Sequence, residues 1–572
     1  MRSVILGIKY IPTIRLSVLR KVFSLLGKSE KITLMILFLL ALASTAVIGN
    51  RVYVANTVVA PARGGVYREG MLGQPKYINP LLASSTTDIS LTKLIFAGLY
   101  KNDGKGHVVP DLAEGFPEIS DNQKEYVVHL KHDITFHNNQ PLTADDVVFT
   151  VETIKNPEYK SILRGEWSNT NAEKVDDYTI KFVNQDISGP FLQTLTLPII
   201  SQKLWGEVAP ENFATAAARL EDAGSGPYVL REIKRLPDGH IKSLHFESFS
   251  NYHSGKPNLD TIDILLYDNY ESIINALHSR EITGFGFLPF DQGIYVDRDR
   301  ENLDIHELPT PQYQAAFFNV NNKALTDKRV RQALSLAIDK QDVLNKTLSG
   351  YGRLLEGPIL PEQGALPLSK PPEFNPGKAA DLLTQAGWRA IGNTKIRAKG
   401  GQQLELTLAT NDFSVNVNTA ELLAETWQKL GVKINLNILP TSELMNNVIL
   451  PRNFDILLFS HKIGADPDPF LFWHSSQVKN PGLNLTGFAN SQADQLITEA
   501  RSTTDQAIRD DHYQKFQALV VDEAPAVFLN QSIYIYAMDS AIRGESFESL
   551  VDPSARFYDV PNWYVDEQRV WK

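Results

Sequence analysis

LELTLATNDFSVNVNTAELLAETWQKLGVKINLNIL, residues 404–439, decides the fold class of this 572-residue chain. LELTLA (404–409) alternates leucine with polar residues, the period of a half-buried strand. NTAELLAETWQKLG (418–431) sets Leu422, Leu423, Thr426, Trp427 and Leu430 on one helical face and ends in glycine. VKINLNIL (432–439) alternates again. Strand, helix and strand at these lengths predict a crossover unit with parallel strands, so the chain is α/β. FDILLFS (454–460) supplies a further buried strand.

Signals of the same kind continue outward. YVVHLKHDITF (126–136) reads as a strand, broken by NNQPLT (138–143). Thr143 with Asp146 resembles a capping box ahead of the helical run VVFTVETI. TDKRVRQALSLAIDKQDVL (326–344) predicts one helix, with Thr326 at its start and Val330, Leu334, Ala337 and Ile338 on its buried face. Six prolines between Gly357 and Gly377 mark a long irregular connection.

Composition excludes several functions. The chain is 43% hydrophobic and 21% charged, as a globular protein is, and its length predicts three or four structural units. It has no cysteine, so disulfides, thiol nucleophiles, thiolate metal sites and a lipidated cysteine tether are all excluded. After residue 51 there are 48 Lys/Arg against 65 Asp/Glu. An acidic body argues against nucleic acid as a partner.

Residues 1–31 are basic. Residues 32–49, ITLMILFLLALASTAVIG, carry no charge and span about 27 Å as a helix, near the minimum for crossing a bilayer. Seven basic residues precede the run and only Arg51 closely follows it, which places 1–31 in the cytoplasm and the rest outside. The long leading segment favours a transmembrane signal anchor. A cleaved signal peptide is the alternative, with Ala41, Ala43 and Ala46 offering small-residue sites. Residues 2–26 alternate basic and apolar residues and suit the inner membrane surface.

Six segments, in this order, resemble one known family. They are PDLAEGFPEISDNQKEYVVHLKHDITFHNNQPLTADDVVFT (110–150), GSGPYVL (224–230), NYHSGKPNLDTIDI (251–264), FFNVNNKALTDKRVRQALSLAIDK (317–340), ADLLTQAGW (380–388) and FDILLFSHKIGADPDPFLFWHSS (454–476). The family is family 5, the large extracellular solute-binding proteins of peptide, dipeptide and nickel ABC importers. The resemblance implies a class II periplasmic-binding-protein-like fold of two lobes that close on a ligand, with an extra N-terminal subdomain. The expected spans are 60–313 for lobe one, including the subdomain at about 84–195, then 314–530 for lobe two, with 531–572 returning to lobe one. The implied partners are a peptide or other small-molecule ligand, the ABC permease and ATPase subunits, and the membrane through 32–49.

The resemblance also nominates site residues. In peptide-binding relatives an aspartate in the segment matching GADPDPFLFWHSS pairs with the ligand's α-ammonium. Asp466 matches it and Asp468 is its neighbour. The Asp-Pro-Asp-Pro run departs from the family's usual spacing, and a rigid turn with capping carboxylates explains it equally. Trp473, His474 and Trp167 suit an aromatic cleft wall, or else the core. Asn319 falls at the expected interlobe crossing. His129, His132 and His137 have the spacing of a strand and turn rather than of a metal site. No HExxH or GxSxG pattern occurs, and the reading is a binder without cofactor or metal rather than an enzyme. A membrane-anchored peptide sensor and an extracytoplasmic hydrolase are the alternatives.

Overall fold

The computed structural model describes residues 24–214, 223–286, 302–363, 368, 373–390, 395–546 and 548–572. The expected surface run at 2–26 falls almost wholly outside them, as does part of the proline-rich connection. The chain divides into two units, Met1–Ala62 with Asp566–Lys572, and Arg63–Val565.

In the first unit Lys28–Asn56 is a continuous helix with no buried residue. Its length and apolar composition suffice to cross a membrane. Thr57–Pro61 follows at once and pairs antiparallel with Glu567–Trp571.

The second unit is built on an eleven-stranded mixed sheet. The crossover unit forms as its periodicity requires. Glu405–Asn411 and Lys433–Leu439 are parallel neighbours, and helix Ser414–Lys429 joins them. The helix buries Thr419, Ala420, Leu423, Ala424 and Trp427, so its buried stripe lies slightly to one side of the expected one. Gly431, with φ 90°, closes it. Ile456–Lys462 lies on the other side of Glu405–Asn411.

Two long strands, Leu303–Phe318 and Ala526–Asp539, carry the sheet from one lobe to the other. Their register shifts between Pro309 and Tyr313, because Pro309 opposes Ile533 while Tyr313 opposes Gln531. Proline cannot donate to a ladder, which suits it to such a break. Beyond it both faces of the strand are buried. Ala316 and Phe318 enter one apolar core with Trp427, while Tyr313, Ala315 and Phe317 enter another with Trp473. Before it, the sheet continues through Val66–Leu72, Thr261–Tyr267, Ile241–Ser248 and Tyr228–Arg235 over a third core. The GSGP turn sits here because Cβ atoms on Gly224 and Gly226 would fall 1.8 and 2.6 Å from the Ile95 carbonyl oxygen.

A smaller four-stranded sheet stands apart, formed by Glu118–Ile119, Glu125–His129, Thr179–Asn184 and Thr170–Asp176, with helix Ala144–Lys155 nearby. Asp146 accepts from the Thr143 N–H at 2.9 Å, as the capping pattern predicts. The strand expected at 126–136 stops at His129, since the chain turns through Asp133 at φ 66°.

The helix expected over 326–344 is two helices, Lys328–Leu336 and Lys340–Leu348. Asp339 accepts from the Gln341 and Asp342 amides, and this acceptor starts a new helix in the middle of the apolar period. The first helix is capped by Asp327, whose carboxylate accepts from the Arg329 amide. Thr326 instead donates its hydroxyl to the Val320 and Asn322 carbonyls.

Candidate functional site

Asp-Pro-Asp-Pro folds as two successive Asx turns. The Asp468 amide donates to Asp466 Oδ1 at 3.0 Å, and the Phe470 amide donates to Asp468 Oδ1 at 3.0 Å. Each carboxylate then meets an arginine. Arg509 Nη2 lies 2.8 Å from both oxygens of Asp466, and Arg501 Nε lies 3.0 Å from Asp468 Oδ2. Arg501 also rests over the Phe470 ring, 4.1 Å from its centroid. Burial alone would lower the Arg509 pKa, but the Asp466 charge and the Tyr513 hydroxyl outweigh it and hold the guanidinium ionised. Burial raises the Asp468 carboxyl against the pull of Arg501.

Asp466 and Arg509 line a cleft of about 500 Å³, within the usual range for a small-molecule site. One side carries His107, Phe116, Tyr126, Gly189 and Gln193. The other carries Gln363, Asp466, Thr504, Arg509 and Asp510. The sides are in direct contact. Gln123 Oε1 accepts from the Thr504 amide and hydroxyl at 2.9 and 3.1 Å, and the Gly189 amide donates to the Arg501 carbonyl at 3.2 Å. A Cβ on Gly189 would come 2.9 Å from Arg509 Nε and 3.0 Å from the Thr503 carbonyl oxygen. Only glycine lets the two sides approach this closely.

Of the six residues nominated from sequence, Asp466 lines the cleft and Asp468 stands two residues away in the same turn. Trp167 is buried in a ring cluster, 6.0 Å from Phe182 and 6.2 Å from Phe191. It backs the cleft wall, because Phe191 packs 4.6 Å from Tyr126. Trp473 is buried between Phe317 and Phe528. His474 caps the next turn, accepting from the Ser476 amide at 3.1 Å. Asn319 donates to the Phe454 carbonyl at 2.9 Å and accepts from the Asn321 amide at 3.1 Å, so its amide is held by backbone at the strand end.

Sequence reasoning missed Arg509, Gly189 and Gln123. Arg509 did leave a signal. In helix Gln506–Glu523 the buried stripe is Arg509, Tyr513, Phe516, Gln517 and Val520, and an arginine on an otherwise inward stripe demands a buried partner. Gly189 and Gln123 act through their backbone position and a long-range contact, which periodicity does not reveal.

Among the described residues, no group of three or more His, Asp or Glu is placed to hold a metal ion. His129 meets Thr179 Oγ1 at 3.2 Å, His132 packs on Tyr178, and His137 Nε2 donates to the Gly226 carbonyl at 3.0 Å.

Two lobes joined by long crossing strands, with a polar and aromatic cleft closed between them, define a class II periplasmic-type binding protein. Residues 107–482 match the bacterial extracellular solute-binding proteins, family 5 middle, and the chain belongs to that family. It is 28% identical over 519 residues to the oligopeptide-binding protein AppA of Bacillus subtilis (strain 168), covering 88% of this chain and 92% of that one. It is 25% identical over 536 residues to the dipeptide-binding protein of Escherichia coli (strain K12), covering 88% and 96%. The structure of Bacillus subtilis AppA in complex with a nonapeptide superposes with a TM-score of 0.67 at 26% identity, over 88% of this chain and 100% of that one. The family is one of extracytoplasmic solute binding rather than catalysis.

Proposed function

We propose that this chain captures peptide-like solutes between its lobes and delivers them to the permease and ATPase subunits of an ABC importer. The observation that carries the reading is the cleft of about 500 Å³ with the Asp466–Arg509 pair on one wall and Tyr126 on the other. The oligopeptide- and dipeptide-binding relatives support the ligand class. Closure excludes water, so polar contacts to a peptide backbone strengthen in a lower dielectric. We set the hinge at the register shift of 309–313, where lobe one (from Arg63) passes into lobe two (314–530), and 531–565 returns to lobe one.

Asp466 acts as the polar anchor, with Arg509 as its permanent counter-ion. A ligand ammonium that meets Asp466 shares the carboxylate with Arg509, so the site recognises the peptide's N-terminal end by hydrogen bonding more than by net charge. Asp468 sets the turn that presents Asp466. Trp167, Trp473, His474 and Asn319 serve the site by holding its walls. The ligand leaves intact, as importer function requires. The helix Lys28–Asn56 stays attached as a single-pass anchor, which fits a chain without a cysteine to lipidate.

Native mass spectrometry of the purified protein tests the reading. The expected result is a co-purified species of peptide mass that exchanges with added peptide and is recovered unhydrolysed. A recovered non-peptide ligand would overturn the ligand class, and cleaved peptide would favour the hydrolase reading. Retained peptide uptake after deletion of the cognate permease genes would overturn the import step.

A further inference from the structure

The strand Glu567–Trp571 pairs with Thr57–Pro61 along its whole length, from Thr57 opposite Trp571 to Pro61 opposite Glu567. Trp571 therefore lies beside the end of the apolar helix. Its ring meets the Tyr53 ring edge-on, with centroids 5.8 Å apart. Tyr53 stands four residues past the uncharged run 32–49, about 6 Å further along the helix axis. If 32–49 fills the hydrocarbon layer, that depth is the headgroup layer, where Tyr and Trp concentrate.

The helix end is built for a place where water is scarce. Asn56 Nδ2 donates to the Val52 carbonyl at 2.7 Å and the Thr57 hydroxyl to the Tyr53 carbonyl at 2.6 Å. Lys572 Nζ donates to the Ala55 carbonyl at 2.9 Å and its amide to the Asn56 carbonyl at 3.0 Å. The Ala55 and Asn56 carbonyls, which a helix in water leaves to solvent, are here taken by Lys572, and side chains also meet the Val52 and Tyr53 carbonyls. Charge is graded along the ribbon. Arg51 and Lys572 lie at the helix end, Arg569 sits mid-ribbon opposite Val59 and reaches Thr57 Oγ1 at 3.2 Å, and Asp566 and Glu567 lie at the far end. Apolar side chains are exposed along the ribbon beside Gln568 and Arg569, with Trp571 67% and Val59 53% exposed.

We propose that the strand Glu567–Trp571 is a membrane-surface element that seats Tyr53 and Trp571 in the headgroup layer, with Arg51, Arg569 and Lys572 facing lipid phosphate. The partner is a phospholipid surface. The inference rests on the retained-anchor reading above. Its consequence is that the chain leaves the membrane and returns to it at one ribbon, so the anchor grips both ends of the ligand-binding body's sequence.

The other six tryptophans, at 167, 205, 388, 427, 473 and 563, are buried, so Trp571 dominates quenching from outside. The full-length protein is reconstituted in phosphatidylcholine/phosphatidylglycerol vesicles that carry a spin label near the headgroup. The expected result is strong quenching of tryptophan fluorescence that is lost in Trp571→Phe. Equal quenching in the two proteins overturns the inference, as does quenching of Trp571 by aqueous iodide with none by the lipid label. Trp571→Cys gives a single thiol in a cysteine-free chain, and rapid disulfide-linked dimers in the same vesicles would overturn it in favour of a second copy. The intact mass of the membrane-extracted protein separates the two levels. Loss of the helix by cleavage sinks both readings, whereas a retained helix with water-exposed Trp571 sinks this one alone.

Discussion

Arg509 Nη2 bridges the two carboxylate oxygens of Asp466, 2.8 Å from each, across 43 residues of sequence. The arginine side chain is 5% exposed and the aspartate 18%. The carboxylate we propose as the ligand anchor is thus already neutralised from within the protein.

This pairing sets the expected mutational pattern. Asp466→Ala leaves a buried guanidinium without its counter-ion and should destabilise the protein by about 3–5 kcal/mol in urea unfolding. The double variant Asp466→Ala/Arg509→Met should recover much of that loss. Arg509→Met alone frees the Asp466 carboxylate for a ligand ammonium. Calorimetry should then show N-acetylation of a peptide costing more than about tenfold in affinity, against a smaller penalty in the unaltered protein. An unchanged penalty would remove Asp466 from the ligand contact.

Closure depends on Gly189. A side chain there meets Arg509 Nε and the Thr503 carbonyl across the cleft, while neither lies in its own lobe. Gly189→Val should therefore weaken ligand affinity by about tenfold or more and shift small-angle scattering toward an open shape. Its unfolding midpoint should stay close to that of the unaltered protein, because the contact is made only on closing. A comparable loss of stability would instead make Gly189 part of a lobe's own packing.

What the sequence disclosed follows the range of the forces involved. The unit at 404–439 was legible because strand and helix periods are local, and Leu423 and Trp427 fall on the buried stripe. The single helix at 326–344 was misread because Asp339 caps a second helix without breaking the apolar period. At the site, Asp466 was nominated by the family resemblance, and its proline-fixed turn was legible in the Asp-Pro-Asp-Pro run itself. Its partner was not, since the pairing depends on how helix Gln506–Glu523 packs against that turn. Trp167 and Trp473 show the same limit, because an aromatic ring signals burial without saying whether it faces the cleft or backs it.

Two histidines make stability depend on pH. Burial lowers His461 to about 3, among the Tyr313, Phe317 and Phe472 rings, and burial lowers His137 to about 4 despite its bond to the Gly226 carbonyl. In the unfolded chain both titrate near 6.5. Between these values the unfolded state binds protons that the folded state refuses, so stability is full above about pH 6.5 and falls as pH drops. Linkage gives a loss of about 2 kcal/mol per histidine between pH 7 and pH 5. In His461→Phe the difference between urea midpoints at pH 7 and pH 5 should shrink accordingly, and an unchanged difference would count against a neutral buried imidazole.

The tail that follows strand Ala526–Asp539 is held to lobe one by a buried ion pair. Arg556 Nη2 lies 2.5 Å from Glu69 Oε1, with 2% and 0% of the two side chains exposed. Glu69 Oε2 accepts from the Tyr536 hydroxyl at 2.8 Å and the Tyr67 hydroxyl at 3.1 Å, and Arg556 also donates to Ser90 Oγ and the Pro553 carbonyl. Burial opposes both charges, and only a fully hydrogen-bonded pair offsets that cost. Removing one member leaves the other charged without its ionic partner in a closed core. Arg556→Met should thus lose about 3–5 kcal/mol, and Glu69→Met/Arg556→Met should lose clearly less than the single variant. Limited proteolysis adds the location. Cleavage should appear first in residues 540–565 of Arg556→Met, while the sheet on either side of Leu303–Phe318 stays protected. Uniform cleavage throughout would show that the pair stabilises the whole body rather than docking this tail.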